Sequence, residues 1–494
     1  MPVLWVVTVP LYIAAMGPES FGLVGLFTTI QAVAGLLDLG LNIILNREFA
    51  RLSLDPINHP RMRDLLRTME GIYWAIALVM GLLMFLGAHD IAGHWVQPKN
   101  LSDQAVREAV YMMALALAFQ WPLALYSGGL MGLQRQASLA TINVVLLTIR
   151  YAGVLPVLWF LNPSASTFFA FQAAIGMLHT VVVGIWLWRS LPASHHSPSF
   201  RWGLLQPQVR FAGSLFITAL LSVLLTQLDK IMLSRLLTLE MFGYYSIVSM
   251  AAAALYRLFA PIFSALYPRL TQLVEVKDES EMGLLYHRGC QLMAVLTFGL
   301  AVVAVFFPRE LLFVWMGNYA VADSMGGVLS LLVIGTAIHG LMHLPYALQL
   351  AHGWGRLAMV TNLVAVMFLV PAILIGTWKF GPLGAAIAWA VLNVCYLLVT
   401  IRLMHQRILP GEMRRWYLRD VALPLIGPLA VSAFARWLLP MDIGRLEWSA
   451  VLASLLVLNL LGSVAGAPLV RSAAIEAFAR LSKSHRISPQ GQGR

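Results

Sequence analysis

Residues 226–270 read TQLDKIMLSRLLTLEMFGYYSIVSMAAAALYRLFAPIFSALYPRL. This stretch places Asp229, Lys230 and Arg257 within or beside long apolar segments. A charged side chain deep in a bilayer costs about 2.5–3.5 kcal/mol even on lenient insertion scales, so it normally faces a protein interior or a water-filled cavity. We therefore expect the functional centre of the chain to involve this stretch.

The same stretch repeats a pattern from the start of the chain. Residues 240–243 (EMFG) resemble residues 19–22 (ESFG), and residues 345–348 (PYAL) resemble residues 122–125 (PLAL). Internal repeats of this kind are common in secondary transporters, in which the substrate site lies at the interface of the repeats. The sequence therefore predicts a chain built from two related halves.

The composition is that of a membrane protein. Of the 494 residues 60% are hydrophobic and 11% are charged, whereas an ordinary soluble domain has about 25% charged residues. A helix that crosses the hydrocarbon layer needs about 20 mostly apolar residues. The fold class predicted is all-α, a polytopic membrane protein with about 14 transmembrane helices. The predicted helices lie at residues 2–16, 20–46, 68–88, 106–132, 138–160, 165–188, 211–234, 239–267, 289–307, 326–351, 357–377, 382–403, 420–439 and 448–470.

These helices are predicted to form two pseudo-symmetric six-helix lobes. The N-terminal lobe covers residues 1–188 and the C-terminal lobe residues 211–403. Between them, a cytoplasmic linker at residues 189–210 contains prolines, histidines and arginines that interrupt the hydrophobic pattern. Helices 13 and 14 follow in residues 404–470, and a polar cytoplasmic tail in residues 471–494.

The positions of Lys and Arg predict the orientation, because short basic loops stay on the cytoplasmic side of a membrane. With the N-terminus inside, 23 of the 33 basic residues fall in cytoplasmic segments and seven face outward. Both termini are therefore predicted to be cytoplasmic. The net charge of +11 reflects this rule and attraction to anionic lipid, and we expect no binding to nucleic acid.

Two further charges interrupt apolar helices in the first half, Asp38 and Arg150. Asp38 is either a buried carboxylate hydrogen-bonded to a neighbouring helix or an ion or proton site that lines a cavity. Arg150 either extends its head group to water at the interface or contacts the substrate.

The charges of the second half also leave alternatives open. Adjacent helical positions do not face each other, so we expect Asp229 and Lys230 each to find a partner elsewhere or to face a wet cavity. Arg257 is not expected to face lipid, since arginine stays protonated and its planar fork matches phosphate oxygens. His339 and His343 have the spacing of two metal ligands, but without a nearby carboxylate we expect hydrogen-bonded helix histidines and no metal site.

Several activities are not expected from this sequence. It has no GxxxxGK[ST] phosphate loop, so ATP hydrolysis is excluded as the energy source. The outward loops are too short to house a catalytic carboxylate pair or an activated nucleophile. The chain is therefore predicted to be a transporter rather than an enzyme, with no cofactor, driven by an ion gradient or by the gradient of its substrate.

Five segments together resemble one family. They are residues 17–42 (GPESFGLVGLFTTIQAVAGLLDLGLN), 130–143 (LMGLQRQASLATIN), 228–246 (LDKIMLSRLLTLEMFGYYS), 267–270 (YPRL) and 381–393 (GPLGAAIAWAVLN). Their order and spacing resemble those of the bacterial polysaccharide flippases of the multidrug/oligosaccharidyl-lipid/polysaccharide (MOP) exporter superfamily. The resemblance implies two six-helix lobes in a MATE-like V shape, with two added C-terminal helices, in the bacterial inner membrane.

The resemblance also implies a function. Its members move undecaprenyl-pyrophosphate-linked oligosaccharide repeat units from the cytoplasmic to the periplasmic leaflet, for assembly of O-antigen, capsule or exopolysaccharide. The implied partners are this polyprenyl-pyrophosphate-linked oligosaccharide, membrane lipids, a polysaccharide polymerase and a chain-length regulator. From burial alone, Arg150, Lys230 and Arg257 are the candidate cavity cations for the substrate, and Asp38 and Asp229 the candidates for ion or proton coupling.

Three other functions are compatible with parts of the sequence. A multidrug or cation antiporter of the same superfamily requires an acidic cavity, whereas the intramembrane charges here are mostly basic. A peptidoglycan-precursor flippase has a similar architecture and charge. A membrane-embedded glycosyltransferase or polymerase is disfavoured by the short loops.

Overall fold

The computed structural model describes residues 2–192, 197–204, 206–440, 443–473 and 475–476. These residues form helices, connecting turns and one isolated β-bridge between Gln97 and Thr238. The all-α prediction is confirmed. The predicted linker and tail lie partly outside the described residues, at 193–196 and 205 for the linker and at 474 and 477–494 for the tail, so their boundaries stay predictions.

The chain divides into two compact units. Unit 1, Met1–Ser246, contains α1 (Pro2–Ala34), α2 (Leu41–Leu52), α3 (His59–Leu86), α4 (Ala88–Asp90), α5 (Asp103–Gln120), α6 (Leu123–Gly132), α7 (Gln136–Ala152), α8 (Val154–Phe160), α9 (Ala165–Ser190), α10 (Gln206–Leu236) and the start of α11 (Leu239–Ala253). It also contains 3₁₀ turns at Gly35–Asp38, Pro56–Asn58 and Trp202–Leu204 and a π turn at Ile91–Trp95.

Unit 2, Ile247–Arg494, begins within α11. It continues with α12 (Tyr256–Glu275), α13 (Glu279–Phe306), α14 (Pro308–Met316), α15 (Tyr319–Leu341), α16 (His343–Ala351), α17 (Arg356–Phe380), α18 (Pro382–Arg407), α19 (Met413–Arg415), the π segment Trp416–Ala422, α20 (Leu423–Leu438) and α21 (Arg445–Ala465).

Twelve spans among the described residues are long and apolar enough to cross a membrane, and the chain is a multi-pass membrane protein. The predicted number of fourteen is not confirmed. One span of 35 residues, Leu4–Asp38, covers most of the first two predicted helices. The predicted helix at 211–234 corresponds to α10, which is not among the twelve.

Gly17 lies between the first two predicted helices and separates two helical parts of α1, with φ of 81° and ψ of 165°. The predicted second helix, residues 20–46, is itself interrupted after Asp38. After the 3₁₀ turn, Leu39 and Gly40 have φ of 49° and 74°, in the left-handed region that glycine adopts at little cost. The expectation of one continuous helix is therefore wrong, because the backbone at Leu39 and Gly40 is not helical.

The two units repeat the same order of long and broken helices. In unit 1, α5 ends two residues before Pro122 and is followed by the short α6. In unit 2, α15 ends four residues before Pro345 and is followed by the short α16, which contains Pro345. The long helix α5 packs on α9 and α15 packs on α18. The internal repeat read from the sequence is thus visible in the succession and pairing of helices.

The two copies of the repeated motif contact each other within unit 1. A Cβ at Gly22 would meet the carbonyl oxygen of Leu239, and a Cβ at Gly243 would lie 2.5 Å from the carbonyl oxygen of Pro18. A Cβ at Gly25 would meet the side-chain oxygen of Ser246. Helices α1 and α11 therefore cross with their backbones in contact, and only residues without a side chain fit at this crossing.

A buried carboxylate holds the loop between the π turn and α5, which we name the capped loop (residues 97–101). Glu19 is 5% exposed and accepts backbone N–H bonds from Lys99 at 2.9 Å, Asn100 at 3.0 Å and Leu101 at 3.0 Å. Gln97 of the same loop accepts the backbone N–H of Leu239 at 2.9 Å. The first copy of the repeated motif, residues 19–22, therefore has a structural role, because Glu19 satisfies three backbone donors at once.

Candidate functional site

Arg150 lies inside a polar cluster in unit 1. Its Nη2 donates to Oε1 of Gln120 at 2.5 Å and its Nε donates to Oε1 of Gln172. Gln120 and Gln172 are 8% and 2% exposed. The guanidinium is therefore bound by buried amides and does not extend to an interface, so snorkelling does not explain its position.

Gln31 extends the cluster to a fourth helix. Its Nε2 donates to Oε1 of Gln120 at 2.8 Å, and Nε2 of Gln120 donates to the carbonyl of Gln172 at 3.0 Å. Gly176 leaves room for this arrangement, because a Cβ there would lie 2.5 Å from Cγ of Gln120. The cluster formed by Gln31, Gln120, Arg150 and Gln172, from α1, α5, α7 and α9, is named the Arg150 cluster.

The charge of Arg150 is not neutralised within this cluster. Among the described residues, no Asp or Glu oxygen lies within 4 Å of its guanidinium. The glutamines occupy Nε and Nη2, and Nη1 donates to no described residue. A guanidinium has a second pair of donors on Nη1 and Nη2, which is the fork that binds two oxygens of a phosphate or carboxylate. The arrangement can therefore accept an anion.

Asp38 closes the 3₁₀ turn after α1 and is half-buried. Its Oδ1 accepts a hydrogen bond from the hydroxyl of Tyr73 on α3. No Lys or Arg nitrogen lies within 4 Å of its carboxylate in the described part of the chain. Asp38 is thus a half-buried carboxylate hydrogen-bonded to a neighbouring helix, and its role in ion or proton coupling stays a prediction.

Asp229 and Lys230 lie close to each other, so their expected separation is wrong, but each also has the further partner that was expected. Nζ of Lys230 is 3.6 Å from Oδ1 of Asp229 and donates to the carbonyl of Thr226 at 3.1 Å. Helical side chains lean toward the helix N-terminus, and the flexible lysine stem folds back far enough to reach both groups. Tyr245 on α11 donates to Oδ2 of Asp229 at 2.6 Å. This pair is therefore largely neutralised locally.

Arg257 lies in the first turn of α12, in unit 2, and is exposed. Its guanidinium makes no hydrogen bond or ion pair with any residue that the structure describes. In a membrane protein, such an exposed cation faces either water or a ligand, since lipid contact is costly.

The histidine pair on α15 and α16 forms no metal site. Nδ1 of His343 lies 3.2 Å from the carbonyl of His339, one turn earlier, and the His339 ring packs edge-on against Tyr256. Within the described ranges, no group of three His, Cys, Asp or Glu side chains could hold a metal ion. His343 is thus a hydrogen-bonded helix histidine, as expected.

The sequence interpretation missed the uncharged members of these clusters. Gln31, Gln120 and Gln172 surround Arg150, while Tyr73 and Tyr245 bind the two aspartates. The glutamines could have been found from the sequence, because a glutamine inside an apolar helix needs a buried partner. Sequence alone does not say which helix supplies that partner.

An apolar cavity of about 450 Å³ lies in unit 1. Leu26 and Val33 of α1, Met84 of α3, Trp95 of the π turn and Ile231 of α10 are among its lining residues. None of the five predicted site residues lines it. The cavity is suited to hydrocarbon and not to a charged head group.

Comparison with known proteins addresses the identity of the chain. The family model described as "Polysaccharide biosynthesis protein" (Polysacc_synt) matches residues 3–274, more than half of the chain. The chain belongs to this family. A curated relative from Shigella flexneri, described as "Putative O-antigen transporter", is 21% identical over 379 residues, which cover 76% of this chain and 87% of the relative.

Solved structures share the fold of this polysaccharide biosynthesis protein. The lipid II flippase MurJ in an inward closed conformation aligns with a TM-score of 0.66 and 12% identity, over 94% of this chain and 95% of MurJ. An inward-facing multidrug resistance MATE family transporter of the MOP superfamily aligns with a TM-score of 0.61 and 13% identity, over 84% of this chain and 96% of the transporter. The family resemblance read from the sequence is confirmed, and these structures show that the fold is shared with MurJ and with a MATE transporter.

Proposed function

We propose that this protein flips undecaprenyl-pyrophosphate-linked oligosaccharide repeat units from the cytoplasmic to the periplasmic leaflet of the bacterial inner membrane. Movement occurs by alternating access, and both termini lie in the cytoplasm. The observation that carries the proposal is the Arg150 cluster, in which a guanidinium held by buried glutamines has Nη1 and the second hydrogen of Nη2 without a partner among the described residues.

The chemistry of the substrate explains why such a cluster is needed. A diphosphate and several sugars lose their hydration when they leave water, and the loss is prohibitive without compensating hydrogen bonds. Arg150 supplies charge-assisted bonds to phosphate oxygens, while glutamine amides can both donate to and accept from sugar hydroxyls. The polyprenyl tail stays in hydrocarbon throughout.

The structure supports the other predicted site residues to different extents. Arg257 is a second cation for the diphosphate, because it is exposed and has no described partner. Lys230 is the weakest of the three, since Asp229 lies 3.6 Å away. Asp38 is the better candidate for ion or proton coupling, because its carboxylate has no basic neighbour, whereas Asp229 is already paired.

The proposal includes no bond-making step, so the protein is a transporter and not an enzyme. An ion gradient, or the gradient of the lipid-linked substrate itself, supplies the energy. The polymerase and the chain-length regulator that act on the flipped repeat unit are the expected protein partners.

The test is a leaflet-exchange assay in liposomes. Purified protein is reconstituted with a fluorescent polyprenyl-pyrophosphate oligosaccharide, and the rate at which the label reaches the other leaflet is measured. Hydrogen bonds to a charged group contribute about 1.5–3 kcal/mol, which corresponds to roughly 10- to 100-fold in binding. We expect Arg150→Gln to slow exchange at least tenfold, Arg150→Lys to be intermediate because it lacks the planar fork, and Arg257→Ala to slow it as well.

Arg189→Gln is the matched control, because Arg189 is an exposed arginine in the last turn of α9. It should exchange lipid at the wild-type rate. Exchange by Arg150→Gln at the wild-type rate would remove the Arg150 cluster from the mechanism. Export of organic cations by a wild type that moves no lipid would replace the flippase with a drug antiporter.

A further inference from the structure

A buried histidine in unit 2 lies between two carboxylates. Nδ1 of His287 on α13 contacts Oδ2 of Asp420 in the π segment, and Nε2 lies 3.2 Å from Oε2 of Glu412. Nε2 makes no hydrogen bond among the described residues, so Glu412 is its charged neighbour at 3.2 Å and not yet an acceptor. His287 and Asp420 are fully buried, whereas the Glu412 side chain is 37% exposed. We name these three residues the proton site.

The arrangement of this group favours an added proton on the ring. A neutral imidazole has one N–H and one lone pair, while an ionised carboxylate only accepts. With a neutral ring and two ionised carboxylates, one ring lone pair would face a carboxylate oxygen with no hydrogen between them. One added proton on the ring makes both contacts attractive. Without it, no cation of the site compensates the charge of the fully buried Asp420, which is unfavourable.

The geometry of the proton site fits a bound proton and not a metal ion. The imidazole lies between the two carboxylates, so the three groups do not converge on a common point, and none of the described clusters could hold a metal. Gln291 donates to Oδ1 of Asp420 at 2.9 Å, which fixes that carboxylate from its other side. The ligand class of the site is therefore a single proton.

Other titratable groups face the proton site from each neighbouring helix. Arg415 of α19 lies 3.4 Å from Oε2 of Glu412. Tyr286 and Cys290 of α13 lie beside it, with the Tyr286 hydroxyl 3.4 Å from Nε2 of His405 on α18 and Cys290 close to Asp420. Among these groups, Arg415 is the cation that lies within 4 Å of a carboxylate of the site. Its side chain is 39% exposed, so it compensates little of the buried charge.

The proton site joins three parts of unit 2. Asp420 belongs to the widened π segment that starts α20, and such segments often mark functional positions. Gln291 accepts the backbone N–H of Leu469, beyond the end of α21, at 2.9 Å. His287, Gln291 and Asp420 therefore connect α13 to the π segment before α20 and to the chain after α21.

We propose that this proton site holds the last two helices, α20 and α21, against α13 in a pH-dependent way. This goes beyond the flippase function and does not depend on it. When the proton is bound, the ring attracts both carboxylates and the π segment stays on α13. Rising pH removes the proton, leaves carboxylate oxygens against a ring lone pair, and loosens α20 and α21.

The test uses the purified full-length protein in lipid nanodiscs. Its Tm is followed from about pH 5 to about pH 9, a range that includes the ordinary titration of histidine, and the ring nitrogens of labelled histidine are followed by NMR. We expect the Tm of the wild type to fall as pH rises, with the same midpoint as the loss of the His287 imidazolium signal. His287→Gln removes that signal and flattens the Tm profile.

Two further variants keep the proposal testable. Glu412→Gln, at a partly exposed position that should still fold, needs no proton for its contact with Nε2 and should also flatten the profile. His94→Gln is the matched control, because His94 and Asp90 form an exposed pair 3.8 Å apart, and it should keep the wild-type profile. A neutral His287 ring across the whole range, or an unchanged Tm profile in Glu412→Gln, would overturn the proposal. Neither readout requires transport, so failure of the flippase assay leaves this test intact.

Discussion

Replacing Gly243 by alanine tests the crossing at which the two copies of the repeated motif meet. The added Cβ would lie 2.5 Å from the carbonyl oxygen of Pro18 and 3.1 Å from the backbone nitrogen of Gly22. Both neighbours are backbone atoms of α1, so no side-chain rotation relieves the contact. Helices α1 and α11 must therefore move apart.

Two opposing effects set the magnitude of the change in stability. Overpacking in a well-packed interior costs about 1–3 kcal/mol. Alanine is favoured over glycine by about 1 kcal/mol inside a helix. The net result is a loss of up to about 2 kcal/mol, which for a chain of 494 residues corresponds to a fall in Tm of up to about 2 °C.

The assay is thermal unfolding of the purified protein in detergent, followed by tryptophan fluorescence. Gly283→Ala is the control, because Gly283 also lies in a helix and a Cβ there has no atom within 4 Å. Its Tm should stay the same or rise. Gly22→Ala should behave like Gly243→Ala, and the double variant should lose less than the sum, since both changes act on one contact. A Gly243→Ala variant as stable as Gly283→Ala would refute the reasoning.

Three further predictions concern buried polar contacts. Glu19→Gln leaves the capped loop with a neutral acceptor, so we expect a loss of about 1.5–3 kcal/mol and faster hydrogen–deuterium exchange in that loop. Glu310 on α14, with a side chain 4% exposed, accepts from Arg436 on α20 at 2.6 Å; a double-mutant cycle with Gln at each position should give a coupling energy of about 1 kcal/mol. Tyr73→Phe removes the hydroxyl that binds Asp38 and should lower stability by about 1 kcal/mol, measured as Tm.

Each of these has an outcome that contradicts it. Unchanged exchange in the capped loop of Glu19→Gln would mean that the loop is held by other contacts. Additive effects in the Glu310 and Arg436 cycle would show that the pair contributes nothing beyond its separate residues. A wild-type Tm for Tyr73→Phe would remove the hydroxyl as a significant partner of Asp38.

The membrane-spanning helices were predictable because hydropathy is a local property. A run of about 20 apolar residues marks a helix wherever its neighbours lie, and most predicted segments coincide with observed helices such as α9 and α18. The interruption at Leu39 and Gly40 was missed, since apolar composition continues through it and says nothing about backbone φ. Glycine in a membrane helix marks close packing as often as a break.

The candidate site was predictable only in part. The charged members, Arg150 and Asp38 among them, are conspicuous in apolar helices. Their partners are not, because Gln120 and Gln172 lie 30 and 22 residues from Arg150 along the chain. The predicted separation of Asp229 and Lys230 failed because helical position alone does not describe the reach of a flexible lysine side chain.

By itself, the sequence determined the membrane environment, the helical class, the internal repeat and the family, because each depends on composition or on the order of residues along the chain. Only the tertiary structure decided which buried groups pair. It placed the glutamines on Arg150, Tyr73 on Asp38 and His287 between two carboxylates. The physical reason is that a buried polar group is satisfied by whichever group the rotation and crossing of neighbouring helices bring within about 3 Å.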